Sequence, residues 1–391
     1  MISVEQALKI IDSKTTPLLK QNIQLQDVLD FVLAESVLSP INMPPFRQSA
    51  MDGYALNYDE SISEYILIGE VAAGSGQEFN LKPGEAVRIF TGAAVPDSAN
   101  VVAQQEIVNR TENNFRLTKE VQVGLNIRLV GEQIKVGATA LEKGIIVNPA
   151  AIGFLATLGI TQVEVFSKPK IGLLTTGNEL IKPGTPLSHG EIYESNSLML
   201  ETAIMQHHHN KPELVKVKDD LAETQNALSD LIQKNDVILI SGGISVGDYD
   251  FVKTALENLG VKEEFYKIKQ KPGKPIYFGT LNHKLIFALP GNPASALTCF
   301  YIYVLPALNK SAGKKFEGLK TVKRKLKNAY HKKAGLAHFL KSVCDDEFVE
   351  ISDSQSSAML NTFAVANAII FVNSEVEEIK ENSFVDVILL N

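Results

Sequence analysis

The stretch Val237-Ile238-Leu239-Ile240-Ser241-Gly242-Gly243-Ile244-Ser245-Val246-Gly247-Asp248-Tyr249-Asp250 decides how this chain is read. Four β-prone apolar residues run straight into a loop holding three glycines. So short and unbroken an apolar run fits a strand buried on both faces. The glycines, with the Ser245 hydroxyl, let the backbone approach a ligand and turn N–H groups toward an anion. Asp250 stands where the next helix begins, as an N-cap or as a ligand-facing carboxylate. In an open α/β sheet, ligands sit beyond the carboxyl ends of the strands. The loop is too glycine-rich for an ordinary connection and favours a ligand site.

Working outward, the same alternation fills residues 167–310. Residues 171–175 form a strand, and Thr176-Gly177-Asn178-Glu179-Leu180 follows it, which alone reads as a turn with a solvated glutamate. Asn196 is placed to cap a helix running to Gln206, and residues 214–217 form a strand. Asp220-Leu221-Ala222-Glu223 reads as a capping box, with Ala222, Leu228, Leu231 and Ile232 facing a core. A strand at 285–289 leads into Pro290-Gly291-Asn292-Pro293, with Asn292 as N-cap, Pro293 at the first helical position and an anion as an added option there. The pattern predicts a doubly wound parallel sheet. In Lys271-Pro272-Gly273-Lys274-Pro275, two prolines stiffen a loop that reads equally as a solvated turn or as a rigid pair of cations for phosphate or oxyanion. Amides, lysines and carboxylates converging on one edge imply a phosphate-bearing small molecule with Mg²⁺ between its oxygens and the carboxylates. No Gly-x4-Gly-Lys-Ser/Thr occurs, and no Gly-x-Gly-x-x-Gly follows the first strand, which excludes the P-loop and the dinucleotide fingerprint.

The flanks differ. Ser3 and Gln6 form a capping-box pattern before Val4, Ala7, Leu8 and Ile11 at helical spacing. Prolines at 40, 44 and 45 close that piece. Residues 46–137 carry short β-prone runs between turn residues, and helical character returns at 150–158. A β module between two helical pieces reads as an insertion. The expected fold is therefore multi-domain α/β plus β: a discontinuous domain (1–45 plus 138–166), an inserted β-rich domain (46–137), the α/β domain (167–310) and a small C-terminal β-barrel domain (311–391).

Composition bounds the function. The 391 residues hold 38 Lys plus Arg against 45 Asp plus Glu, a formal net charge of −7, which argues against general nucleic-acid binding. Only Cys299 and Cys344 occur, which excludes a disulfide scaffold and a cysteine-ligated zinc module and fits a reducing, cytoplasmic setting. No secretory leader or apolar run of bilayer length is expected, so no membrane partner is either. His207-His208-His209 reads as a solvated helix end. The basic run from Lys320 to Lys333 reads as a solvated approach to the last domain.

Six motifs together carry a resemblance over nearly the whole chain. They are Ser49-Ala50-Met51-Asp52-Gly53-Tyr54-Ala55, Arg88-Ile89-Phe90-Thr91-Gly92-Ala93, Thr176-Gly177-Asn178-Glu179-Leu180, the 242–250 loop, Lys271-Pro272-Gly273-Lys274-Pro275 and Leu289-Pro290-Gly291-Asn292-Pro293. In this order they resemble the molybdopterin molybdenumtransferases of the MoeA type, similar to the E domain of gephyrin. The resemblance implies four domains, an elongated homodimer, and Mg²⁺-dependent insertion of molybdate into adenylylated molybdopterin with release of AMP. By position it implies Asp52, Glu179, Asp219 and Asp250 as functional carboxylates, the last three as Mg²⁺ ligands. It implies Thr91, Arg128, Gly242, Gly243, Ser245, Gly247, Lys271, Lys274, Pro290, Asn292 and Ser357 as substrate-binding residues. It further implies that the Asp52 loop faces the sheet module of the other subunit, and that cofactor-biosynthesis proteins are partners. Three positions depart: Gln133 and Asn178 stand where the family has Asp, and Lys341 where it has Arg. Two alternatives remain, adenylylation of molybdopterin, which would need ATP, and a non-catalytic scaffold of the gephyrin E type.

Overall fold

The computed structural model of the chain describes residues 1–244 and 251–390. The chain forms two compact units. The larger comprises Met1–Gln21, Asp30–Ala34 and Val165–Asn391, the smaller Asn22–Leu29 and Glu35–Glu164.

The larger unit is built on a six-stranded sheet of β1 (Ile171–Thr176), β2 (Glu213–Val217), β3 (Val237–Ser241), β4 (Lys262–Tyr266), β5 (Tyr277–Leu281) and β6 (Lys284–Leu289), in the order β2-β1-β3-β6-β5-β4. β2, β1, β3 and β6 run parallel. β5 is antiparallel to β6, and β4 to β5, so the all-parallel sheet expected from sequence is corrected to a mixed one. The reason is local. Only Asn282 and His283 join β5 to β6, Asn282 adopts φ 55°, and a two-residue loop closes a hairpin but cannot carry a crossover helix. β4 runs in the same sense as β6, so the 267–276 segment leaves the sheet at the edge where the parallel strands end.

Alternate residues bury opposite faces of the sheet. Leu173, Leu239 and Phe287 pack with α1 (Val4–Lys14), α2 (Asn196–Gln206) and α5 (Pro293–Cys299), whereas Leu174, Ile238, Ile240 and Ile286 pack under α3 (Leu221–Lys234) and α4 (Phe251–Asn258). This two-sided burial is why the strands read as continuous apolar runs. α1 starts on the Ser3–Gln6 capping box and buries Val4, Ala7 and Ile11. α3 starts on Asp220, whose carboxylate accepts the Glu223 N–H. Its buried stripe is Thr224, Leu228, Leu231 and Ile232, a spacing of i, i+4, i+7, i+8 that leaves Ala222 on the solvent side, contrary to the sequence reading.

The His207–His209 run is a solvated helix end only at His208, which meets Asp30 at 3.1 Å. His209 is 7% exposed, with Nε2 3.2 Å from Asn309 Oδ1, and burial pushes its imidazole down to about 4. Past α5 a π-helical turn, Phe300–Val304, continues into α6 (Leu305–Ser311). Strands Thr321–Leu326, Ala337–Cys344, Phe348–Ile351, Ala368–Val372 and Phe384–Leu389 then close into a barrel around Leu340, Val349, Ile370 and Val387. Closure removes the exposed edges of a small sheet. Its basic run is paired at the surface: Lys323 with Asp386, Lys325 with Glu347 and Lys327 with Glu350, at 2.7, 3.1 and 2.9 Å.

In the smaller unit six strands pair in the order Val101–Gln104, Gly53–Leu56, Glu85–Ile89, Tyr65–Val71, Asn114–Leu117, Val108–Thr111, with one core on each side. Helix Pro149–Thr157 starts on Asn148, whose side chain accepts the Ala151 N–H. Among the described residues, no helix is long and apolar enough to cross a membrane.

Candidate functional site

Beyond the carboxyl ends of β1, β2, β3 and β6 lies a cleft of about 620 Å³. Thr176, Gly177 and Glu179 line it from the end of β1 onward, Asp219 after β2, residues 241–244 from the end of β3 and 290–293 after β6. The fold thus brings together Glu179, Asp219, Gly242, Gly243, Pro290 and Asn292. Ser245, Gly247 and Asp250 lie outside the described residues.

The first two loops are joined through Asp219. Its Oδ1 accepts the Thr176 hydroxyl at 2.6 Å and its Oδ2 the Asn178 N–H at 3.1 Å. In return the Asp219 N–H donates to Asn178 Oδ1 at 3.2 Å. Neither bond needs the amide at 178, because the backbone N–H donates and the side-chain oxygen only accepts, as an aspartate's would; the contacts give the departure at 178 no structural explanation.

Gly242 has φ +96°, and a Cβ there would lie 2.6 Å from the Thr176 carbonyl oxygen, so only glycine lets the β1 and β3 loops close against each other. The Gly242 N–H, however, donates to the Leu289 carbonyl at 3.4 Å. The expectation that this amide turns toward an anion is therefore corrected: the glycine serves close approach.

Asn196 lines the cleft in a role the sequence reading did not give it. Ser195 takes the N-cap place of α2. The buried Asn196 amide instead donates to Ser241 Oγ and to the Gly291 carbonyl, both at 2.8 Å, tying the β3 loop to the β6 loop. The available signal was Glu194-Ser195-Asn196-Ser197, four polar residues at a helix start that needs only one of them as a cap.

Asn292 does precede α5, with Pro293 at the first helical position, but its side chain makes no cap bond. Its amide donates to Ser357 Oγ at 3.1 Å, and the Ala294 N–H donates to the Ser357 carbonyl at 3.1 Å. One amide at that helix start is thus already occupied by protein, which weakens the anion option expected there. Lys341 holds the same segment from beneath. It is 5% exposed, and its ammonium donates to the Ser356 and Met359 carbonyls, both at 3.1 Å. Burial lowers its pKa.

Lys271 and Lys274 are exposed, and neither lines the cleft, which their loop reaches through Pro275. The expected convergence of both ammonium groups with the carboxylates is therefore not seen. Lys271 pairs in register with His338 of the barrel.

In the smaller unit, Asp52 Oδ1 accepts the Thr91 N–H at 2.8 Å and the Thr91 hydroxyl at 2.9 Å. The Thr91 amide first, then its hydroxyl, hold the exposed carboxyl below its ordinary range, with Arg88 adding to the effect. Arg128 donates to Gln48 Oε1 at 3.5 Å, and Gln48 donates to the Gly92 carbonyl at 3.2 Å, so Asp52, Thr91 and Arg128 share one neighbourhood. Gln133 is exposed in a loop anchored by its N–H on the Met43 carbonyl, at 2.9 Å.

Three family models match the chain: the MoeA N-terminal region (domain I and II) over residues 2–159, a probable molybdopterin binding domain over 172–310, and the MoeA C-terminal region (domain IV) over 323–390. A molybdopterin molybdenumtransferase of Haemophilus influenzae is 36% identical over 319 residues, covering 81% of this chain and 79% of the relative. One of Staphylococcus epidermidis is 30% identical over 400 residues, covering 99% and 95%. The chain belongs to the molybdopterin molybdenumtransferase family. A solved molybdopterin biosynthesis MoeA protein of Pyrococcus horikoshii, 29% identical, superposes with a TM-score of 0.86 over 100% of this chain and 99% of that one. The mixed sheet, the inserted β unit and the closed terminal barrel are thus the MoeA-like multidomain fold of that family.

Proposed function

We propose that this chain inserts molybdate into adenylylated molybdopterin and releases AMP, in an Mg²⁺-dependent reaction. The observation that carries the reading is the cleft at the carboxyl edge of the sheet, where Glu179 and Asp219 face the Gly242-Gly243 turn and Asn292. Family membership supplies the chemical class, a transferase of molybdenum cofactor biosynthesis.

The donor set fits Mg²⁺, which takes one or two carboxylates and fills its shell with phosphate oxygens and water. Glu179 and Asp219 would hold it, with Asp250 following in sequence. When bound, it supplies Lewis-acid stabilisation of charge on phosphate oxygen. The chain's own residues do the positioning. Thr176 and Asn178 fix the Asp219 carboxylate, and Asn196 fixes the two loops that bound the pterin phosphate. Lys271 and Lys274 hold the incoming oxyanion on a proline-stiffened loop. Asp52, held by Thr91 through one oxygen, orders water or substrate hydroxyl at its second oxygen.

The proposed assembly is a homodimer in the cytoplasm, with the Asp52 loop of each subunit serving the cleft of the other. Cofactor-biosynthesis proteins are proposed as further partners. Purified protein given adenylylated molybdopterin, molybdate and Mg²⁺ is expected to release AMP without ATP. A requirement for ATP would favour adenylylation instead, and saturable protein binding with no AMP release would favour a scaffold. Mixing Asp52→Ala and Asp219→Ala subunits, each impaired alone, is expected to give more activity than either variant by itself, because one cleft in each mixed dimer is intact. No recovery after subunit exchange would sink the shared site.

A further inference from the structure

The Lys271–Lys274 loop is shaped from within the protein. Its two ends are joined by the Ile268 N–H on the Lys274 carbonyl at 3.0 Å. Between them, the Pro272 and Gly273 carbonyls turn inward and are both taken by one side chain: Gln270 Nε2 donates to them at 2.9 and 3.3 Å. Gln270 is 1% exposed. Its other atom, Oε1, accepts the hydroxyl of Tyr303, which is fully buried. That bond fixes which end of the amide faces the loop, because a hydroxyl donating to Oε1 leaves Nε2 to donate to the carbonyls. Cys299 completes the arrangement, its thiol 3.7 Å from the Gly273 carbonyl and 3.6 Å from Gln270 Nε2.

Two further features belong to this network. Cys299 immediately precedes the π-helical turn Phe300–Val304 between α5 and α6, and Tyr303 lies within it; such turns inside α-helices recur at functional sites. Gly273 has φ +83°, and a Cβ there would lie 2.5 Å from Cys299 Sγ and 3.0 Å from Gln270 Nε2. The glycine of the Lys-Pro-Gly-Lys-Pro motif is thus required both by its own backbone and by the atoms beneath it.

We infer that Gln270 and Tyr303 are positioning residues that set the loop carrying Lys271 and Lys274 and so fix the affinity of that lysine pair for a tetrahedral oxyanion. The oxyanion part rests on the function proposed above; the loop-holding part rests on the hydrogen bonds alone. Removing the buried amide leaves the Pro272 carbonyl unpaired and the Gly273 carbonyl with only the weak Cys299 thiol donor, and the loop must then open to water or rearrange. Ordered lysines lose little entropy on binding, whereas mobile ones lose much.

The experiment uses full-length Gln270→Leu, Tyr303→Phe and the double variant. It reads amide hydrogen exchange over 271–275 and molybdate binding by equilibrium dialysis. Gln270→Leu is expected to speed loop exchange and to weaken molybdate binding about tenfold. Tyr303→Phe keeps the ring and loses only the hydroxyl, so it should weaken binding about two- to threefold and act even if Gln270→Leu folds poorly. The double variant should bind no worse than Gln270→Leu alone, because the two residues act as one unit. In AMP release the loss should appear in KM for molybdate with kcat near the parent value. Parent-like exchange and affinity in either folded single variant overturns the inference. If Lys271→Ala and Lys274→Ala bind molybdate normally while Gln270→Leu still mobilises the loop, the positioning role stands and the oxyanion role of the lysines fails.

Discussion

Two carboxylates in this protein are each held by a threonine, and they are held differently. In the larger unit both oxygens of half-buried Asp219 are engaged, by the Thr176 hydroxyl and the Asn178 amide, and its own N–H donates back to Asn178. In the smaller unit exposed Asp52 spends one oxygen on both groups of Thr91. Asp219 is thus a joint between two loops as well as a candidate metal ligand, and its loss should cost structure and chemistry together. Asp52 joins little, so its loss should cost chemistry alone.

The largest expected effect breaks or upholds that division. Asp52→Ala should lower the rate of AMP release by about 100-fold or more, the scale of losing a positioned acid–base or orienting group, with an unchanged melting temperature. Normal turnover would remove Asp52 from the site. Asp219→Ala should lower the rate by about tenfold and also destabilise the fold by about 1–3 kcal/mol, because the buried Thr176 hydroxyl keeps only the Lys218 carbonyl at 3.5 Å and the Asn178 N–H loses its acceptor. A stability equal to the parent's, measured by denaturant unfolding, would mean the joint is dispensable. Glu179 sharpens the contrast from the other side: no described group holds its carboxylate, and it faces the cleft. Glu179→Gln should raise the Mg²⁺ concentration for half-maximal activity by at least about tenfold and leave unfolding unchanged. Chelation should silence the parent enzyme.

The same two regions differ in how far they were legible. Val237–Ser241 and its glycine loop announced a buried strand and a ligand edge, because apolar runs and glycines obey short-range rules. The cleft was therefore readable, and so were the barrel strands at Thr321–Leu326 and Ala368–Val372. Long-range partners were not. Asn196 looks like a helix cap until Ser241 and Gly291 are brought beside it, and nothing local distinguishes the β5–β6 hairpin from another crossover except its two-residue turn. Lys341 looks like a surface lysine until the barrel buries it beneath residues 356–359. Asp52 lies before a glycine, where a turn explains it fully; only the resemblance marked it.

The smallest expected effect tests the two threonines against each other. Thr91→Val removes the hydroxyl but keeps the shape and the backbone N–H, which is the larger cause of the lowered Asp52 pKa. The pKa should therefore rise only part of the way toward its ordinary value of 3.8. Because the folded value is depressed, the stability this carboxylate contributes is complete above 3.8 and is lost only as pH falls through the folded value. Stability at neutral pH should not change; what should move is the acid limb of the pH–rate profile, upward. Thr176→Val removes a buried hydroxyl that bonds Asp219. It should cost about 0.5–1.5 kcal/mol at pH 7 and leave that acid limb in place. Should the acid limb move in Thr176→Val and stay fixed in Thr91→Val, the two carboxylates have exchanged roles, and Asp219 is the ionisation that chemistry depends on.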